Sequence, residues 1–288
     1  MSIALCSLVI NEMEWLPALY TQHRDWPGLV SWIFVESADR VYAETNPEMV
    51  NKRGLSVDGT TEYLKELEQK DRRVVYIPHG ISNHINPAQG KCESRQRYLE
   101  ALEVVKPDYL LILDADEFYT KRDQERISKL FPRADSSYNS FCIPYRHLWR
   151  PPSIVDRPIM ESEVVKGFWA IEHCHGFRWF PGLRYGNYHM TPNEANGTPL
   201  SDKMLFLKTL AEYPQCVHLG FAAGRREREA KHRYYATRGE AADRKRNWYV
   251  ASRKTWEIWR PGTVIPRGAE IIPYTGPIPE CFITRSRS

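Results

Sequence analysis

The chain has 288 residues, 42% hydrophobic and 26% charged, with a formal net charge of +4 at neutral pH. That composition excludes a disordered, collagen-like or disulfide-scaffold protein. The six cysteines are scattered with no CxxC pair, which excludes the usual zinc spacing and predicts free thiols in a reducing, cytoplasmic setting; no apolar run approaches a membrane span.

In chain order, 3–10 (IALCSLVI) reads as a buried strand, interrupted at Asn11 and Glu12 and so not a signal peptide. Residues 14–26 carry Leu16, Leu19 and Tyr20 at helical spacing. A second apolar strand is predicted at 30–37 (VSWIFVES), followed by an aperiodic polar loop to about Gly59. Residues 59–70 predict a helix led by Thr60 or Thr61 with Leu64 and Leu67 inward. Residues 73–80 predict a third strand, stopped by Pro78 and Gly80. The helix predicted at 92–106 places Tyr98, Leu99, Leu102 and Val105 on one face.

Then comes 108–119, DYLLILDADEFY, in which four apolar residues run into Asp114, Asp116 and Glu117. Alternating strands and helices predict an α/β, Rossmann-like fold with its ligand at the carboxyl ends of the strands, which is where these acids fall. In an extended segment Asp114 and Asp116 point to one side and converge on one cation. Hard oxygen ligands suit Mg²⁺ or Mn²⁺, which keep open positions for phosphates. The plainer alternative is a capping pair after a strand, with Glu117 facing solvent.

Past residue 120 the pattern predicts strands within 138–149, 164–173, 176–189 and 215–221, then helices at 227–239 and 244–259 and an extended tail after Arg260. The expected organisation is one domain over 1–225, in halves 1–120 and 121–225, with a helical extension and tail at 226–288. Residues 225–260 hold twelve Lys/Arg against five Asp/Glu. Such a segment either faces a polyanion or forms a solvated helix face. The HCH at 173–175 is read as ordinary packing, and Trp149, Trp169 and Trp179 as core residues or sugar-stacking faces.

Taken in order, CSLVINEMEWLPALY, WIFVES, ESRQRYLEAL, LLILDADEF, RWFPGLRYGNYHM and VHLGF resemble the successive motifs of family 2 glycosyltransferases with the GT-A fold. The likeness runs unevenly over about 1–225 and is most specific at the D-x-D of Asp114 and Asp116. It implies a mixed central sheet with C-terminal helices and an inverting, metal-dependent, hexosyltransferase-like transfer from a nucleotide-diphosphate sugar to an acceptor saccharide or other hydroxyl. It implies that Val9, Asn11, Glu36, Arg95 and Asp114 contact the donor and that Asp116 and His218 hold Mn²⁺ or Mg²⁺. Gln96 stands where the family usually has Asn, and Glu36 where it often has Asp. The family's His-Glu, whose Glu is the usual base, is His189-Met190 here. Met cannot accept a proton, so His189, Glu194 and Glu172 remain open as catalytic replacements, beside Asp114 at the donor. Two other readings stand: the same fold glycosylating a modified DNA base through the basic 225–260 segment, or a nucleotidyltransferase or non-catalytic nucleotide-sugar binder.

Overall fold

The computed structural model of the chain describes residues 1–149, 162–165, 173–186, 190–210, 212–221, 225–237, 264–265 and 269–283. Strand β1 (Ile3–Val9) is almost wholly buried, because a strand flanked on both sides and covered on both faces has no solvent side. Helix α1 (Leu16–His23) follows, with Pro17 in the first turn, where a missing N–H costs nothing. Strand β2 (Leu29–Ala38) runs parallel to β1.

The stretch predicted as one long loop contains helix α2 (Arg40–Thr45) and a 3₁₀ turn at Pro47–Met49. Asp39 caps α2 by accepting from the Tyr42 N–H at 2.9 Å. Helix α3 (Thr60–Lys70) and strand β3 (Val74–Ile81) match expectation closely. Helix α4 spans Pro87–Val105, five residues earlier at its start than the apolar pattern suggests, because Asn86 caps it with Pro87 in the first turn.

Strand β4 (Tyr109–Ile112) is shorter than predicted. Asp114–Glu117 forms a turn, closed by the Glu117 N–H on the Asp114 carbonyl at 3.0 Å. The two aspartates are therefore brought together by a turn and not by strand pleating. Strand β5 (Glu117–Phe118) leads to helix α5 (Lys121–Arg133), which the sequence reading missed: its buried stripe is only Ile127 and Phe131 among charges. The run 138–149 is two strands, β6 (Ser140–Ile143) and β7 (Tyr145–Trp149), split at Pro144 and built into different sheets. After β8 (Ser162–Val165) comes β9 (His173–Arg178), which takes up 176–178 of the predicted strand 176–189; 179–186 are irregular, and 187–189, like 166–172 of the predicted strand 164–173, lie outside the described residues. Strands β10 (Met204–Phe206) and β11 (Cys216–Phe221), helix α6 (Arg225–Thr237), and strands β12 (Val264–Ile265) and β13 (Ala269–Pro273) complete the framework. The helix predicted at 244–259 lies outside the described residues.

Among the described residues a seven-stranded mixed sheet has the order β10-β6-β9-β4-β1-β2-β3, and a second sheet the order β12-β13-β8-β7-β11-β5. This is the mixed α/β architecture that the alternation predicts. Side chains alternate across β4: Leu111 joins the core that holds Trp32, Phe34, Phe131 and Phe141, while Leu110 and Ile112 join the core under α4 with Tyr98, Leu99 and Leu102. Both faces of the main sheet are thus covered. The six cysteines are free, and no helix among the described residues is long and apolar enough to cross a membrane.

Candidate functional site

A cavity of about 240 Å³ opens where β1, β2 and β4 end. The strands run parallel there, so their carboxyl ends share one side of the sheet. Val9 and Glu12 line it from β1, Asp39 from β2, Arg95 from α4, and Asp114 and Asp116 from the turn after β4.

The acids of that turn have positive neighbours. Arg95, 4% exposed, places Nη2 at 3.6 Å from Asp114 Oδ1. Asp116 is 6% exposed; its Oδ2 lies 3.3 Å from Lys231 Nζ and 3.8 Å from His218 Nε2. Burial raises the pKa of Asp114, and the Glu117 charge adds to that, while Arg95 works against it. Burial likewise raises Glu12 well above the carboxylate range, opposed by Lys231 and reinforced by Asp116 and Asp114. The mixture of charges reflects how costly several carboxylates are when crowded into one partly dry space.

Glu117 does not face solvent, contrary to the sequence reading. It is buried beneath the turn, accepting from Tyr145 Oη at 2.7 Å and lying 3.2 Å from His175 Nδ1. Burial alone would raise its pKa, but His175, the nearby His218 and the Tyr145 hydroxyl outweigh that and bring it down to about 2. A carboxylate also accepts the Asp114 N–H at 3.1 Å here, so Glu117 fixes the turn that presents the aspartates. His175, the last residue of the HCH run, is therefore the partner of this buried acid.

His218 is placed by sheet pairing, opposite Glu117 on β5 and beside His147 on β7. The Nδ1 atoms of His147 and His218 are 2.9 Å apart, which orients the His218 ring so that Nε2 is the nitrogen nearer Asp116. Gly220, two residues on, leaves this gap open: a Cβ there would lie 2.7 Å from His218 Nε2 and 2.9 Å from Asp116 Oδ2.

A carboxylate and an imidazole are an acceptable donor set for Mn²⁺ or Mg²⁺. Ligands about 2.1 Å from an octahedral cation are roughly 3 Å apart when adjacent and roughly 4.2 Å when opposite, and the 3.8 Å between Asp116 and His218 falls between. No three His, Cys, Asp or Glu side chains form a ready-made cage among the described residues. The residues fit a cation that draws its other ligands from substrate and water.

The remaining sequence candidates are placed elsewhere. Asn11, at φ 53, gives its side chain to the 49–57 loop: Nδ2 donates to the Met49 carbonyl at 2.7 Å and Oδ1 accepts from the Val57 N–H at 3.0 Å. It does not cap α1, which begins at Leu16 after Trp15. Glu36 is fully buried and does not line the cavity. It accepts from the Ser56 N–H at 2.7 Å, from Thr61 Oγ1 at 2.8 Å and from Tyr76 Oη. The acid that reaches the cavity from β2 is Asp39, three residues on. It was legible only as a helix cap, and the helix it caps was read as loop. Gln96 accepts the Tyr185 N–H at 2.9 Å.

Glu194 lines a separate cavity with Asn139, Arg178 and Lys203. Asn139 precedes β6, and Arg178 pairs with Tyr109 at the start of β4, so this is the opposite end of the sheet from Asp114. His189, Glu172 and Trp169 lie outside the described residues, as does the side chain of Trp149; Trp179 packs on the core under α4. Lys231, in the segment read only as a basic run, was not singled out.

No family model matches the chain, and no curated protein matches it. Among solved structures it is similar to S. aureus TarS 1-349 at 11% identity over 86% of this chain and 74% of that one, TM-score 0.43. The same protein in complex with UDP-GlcNAc gives 12% identity, 90% and 73% coverage and a TM-score of 0.42. The mannosyltransferase PcManGT from Pyrobaculum calidifontis, in complex with GDP-Man and Mn²⁺, gives 14% identity, 84% and 64% coverage and a TM-score of 0.40.

Proposed function

We propose that the protein is a glycosyltransferase that takes its sugar from a nucleoside-diphosphate donor bound in the strand-end cavity. The supporting observation is the pairing of charges there: Asp114 stands beside Arg95 and Asp116 beside Lys231 at the carboxyl ends of parallel strands, with Lys91 also lining the cavity. A diphosphate needs positive charge against its oxygens, and the acids need a cation between themselves and that diphosphate.

Asp116 and His218 would hold a divalent cation, which when bound neutralises the leaving diphosphate. Arg95 pairs with Asp114 and works against the burial that favours its neutral form, and His147 holds the His218 ring in register. In the transfer, the bond from the acceptor oxygen to the anomeric carbon forms as the bond from that carbon to the phosphate oxygen breaks, and the acceptor proton passes to a base. A single displacement of this kind inverts the anomeric centre. The place of Glu194 at the far end of the sheet speaks against it as the base. His189 and Glu172 are carried forward as candidates for the base.

The three basic side chains of the segment that are described each contact the protein itself. Arg226 donates to the Glu48 carbonyl at 3.3 Å, Arg233 donates to Asn46 Oδ1 at 2.7 Å and pairs with Glu48, and Lys231 pairs with Asp116. We therefore favour a saccharide or other hydroxyl acceptor over a nucleic acid. A melting-temperature panel of nucleoside diphosphates and nucleotide sugars, with Mn²⁺ and with chelator, tests the reading. A shift confined to one base, with slow release of nucleoside diphosphate from the matching sugar donor, is expected; no shift with any of them would refute it.

A further inference from the structure

Helix α6 is clipped onto the nucleotide half at a fixed register. Ala230 is fully buried and its carbonyl accepts from Asn46 Nδ2 at 3.2 Å. Arg233 donates through Nε to Asn46 Oδ1 and pairs with Glu48, both beyond α2. Tyr234, 4% exposed, packs edge-on against Tyr42 with ring centroids 5.8 Å apart and donates to Asp39. Residues 230, 231 and 234 share one face of a helix. Fixing Ala230 and Tyr234 therefore fixes Lys231, which lines the cavity and sets Nζ 3.3 Å from Asp116 Oδ2.

Resting on the glycosyltransferase reading, we propose that Lys231 is a donor-binding residue whose ammonium takes the diphosphate from the α6 side and shares Asp116 with the divalent cation. Four acidic side chains line this cavity, Glu12, Asp39, Asp114 and Asp116, and each that is ionised repels a diphosphate. Arg95 is held at Asp114, so it answers only one side. Lys231 is about one-third exposed while Asp116 is nearly buried. The lysine head can leave the aspartate for a phosphate oxygen without leaving the cavity, and a compact ammonium on a flexible stem suits that exchange. With no cation present, Lys231 is the ammonium beside Asp116, next to the His218 ring, so nucleoside diphosphate binding persists in chelator and depends on this side chain.

The experiment measures calorimetric affinity for the nucleoside diphosphate that shifts the wild-type melting point most, in chelator and in Mn²⁺, for wild type, Lys231→Met and Lys231→Arg. Losing one charge-assisted hydrogen bond predicts about a 10- to 100-fold weaker affinity for Lys231→Met in chelator. A smaller loss in Mn²⁺ is expected, with Lys231→Arg close to wild type in both. Equal affinities of wild type and Lys231→Met in chelator overturn the role of Lys231 and leave the donor site standing. Absence of binding to wild type in either condition overturns both. Retained melting behaviour of Lys231→Met without ligand shows that the helix is still seated; if it is lost, Lys231→Arg carries the comparison, and a tenfold loss there overturns the proposal.

Discussion

Replacing Gly220 by Ala tests the site without removing a charge or a hydrogen-bonding group. Gly220 does not hold a positive φ, so the backbone accepts a methyl group. That methyl would sit 2.7 Å from His218 Nε2 and 2.9 Å from Asp116 Oδ2. The nearest ring atom, His218 Cε1, would be at 2.4 Å. Carbon contacts are comfortable near 3.5 Å, so the methyl intrudes by about 1.1 Å on the imidazole and about 0.6 Å on the carboxylate. The His218 ring is held by His147, so the ring and the Asp116 carboxylate are pushed apart. A displacement approaching 1 Å at groups that position a reacting bond costs about 100-fold in rate. Turnover of Gly220→Ala, measured as nucleoside diphosphate release, should fall by about that factor. Overpacking of this kind costs about 1 to 3 kcal/mol, so its melting temperature should fall by a few degrees while the chain stays folded. Turnover within about threefold of wild type would show that the gap between Asp116 and His218 is not where the donor's diphosphate is held.

Asp116→Ala should abolish transfer and weaken any Mn²⁺-dependent melting shift while the chain stays folded; full turnover in chelator would contradict the cation's place there. Glu36→Ala should destabilise the fold by about 3 kcal/mol, because three donors lose a buried acceptor at about 1 kcal/mol each, and denaturant titration reads that loss directly. His23 gives a pH test. It is buried, holds the Leu19 carbonyl through Nδ1 at 2.9 Å and accepts the Tyr119 N–H at Nε2, and burial pushes its pKa down to about 3. The folded state binds its proton less readily than the unfolded chain, whose histidine titrates near the ordinary 6.5. Stability is thus complete above that value and is lost as pH falls from there toward 3. Between neutral pH and pH 5 this amounts to about 2 kcal/mol. Wild type should lose that much more than His23→Asn over the same interval, and equal losses would show that His23 is not held neutral.

The parts of the fold visible in the sequence are those where a single pattern decides. The strand 3–10 and the face of Tyr98, Leu99 and Leu102 follow from burial alone. The acids after β4 are visible for the same reason, since an apolar run makes its ending conspicuous. What stayed hidden depends on partners distant in sequence. Glu36 is marked as a donor contact by the family resemblance, and what the sequence hides is that Ser56, Thr61 and Tyr76 close around it. Lys231 is one of many basic residues until Asn46, Tyr42 and Asp39 fix its helix. Helices α2 and α5 escaped because each is announced by a cap, at Asp39 and Thr120, and not by an apolar stripe.

Pro144 marks the point where the backbone leaves one sheet for the other, and the turn after Leu113 makes the same crossing a second time. Asp114 belongs to the end of the first layer, while His218 rides within the second. Whatever anchors to both therefore spans a joint and ties the two layers together. Slowed amide exchange at Tyr145, Arg146 and His147, just past the Pro144 crossing, would be the signature of an occupied cleft.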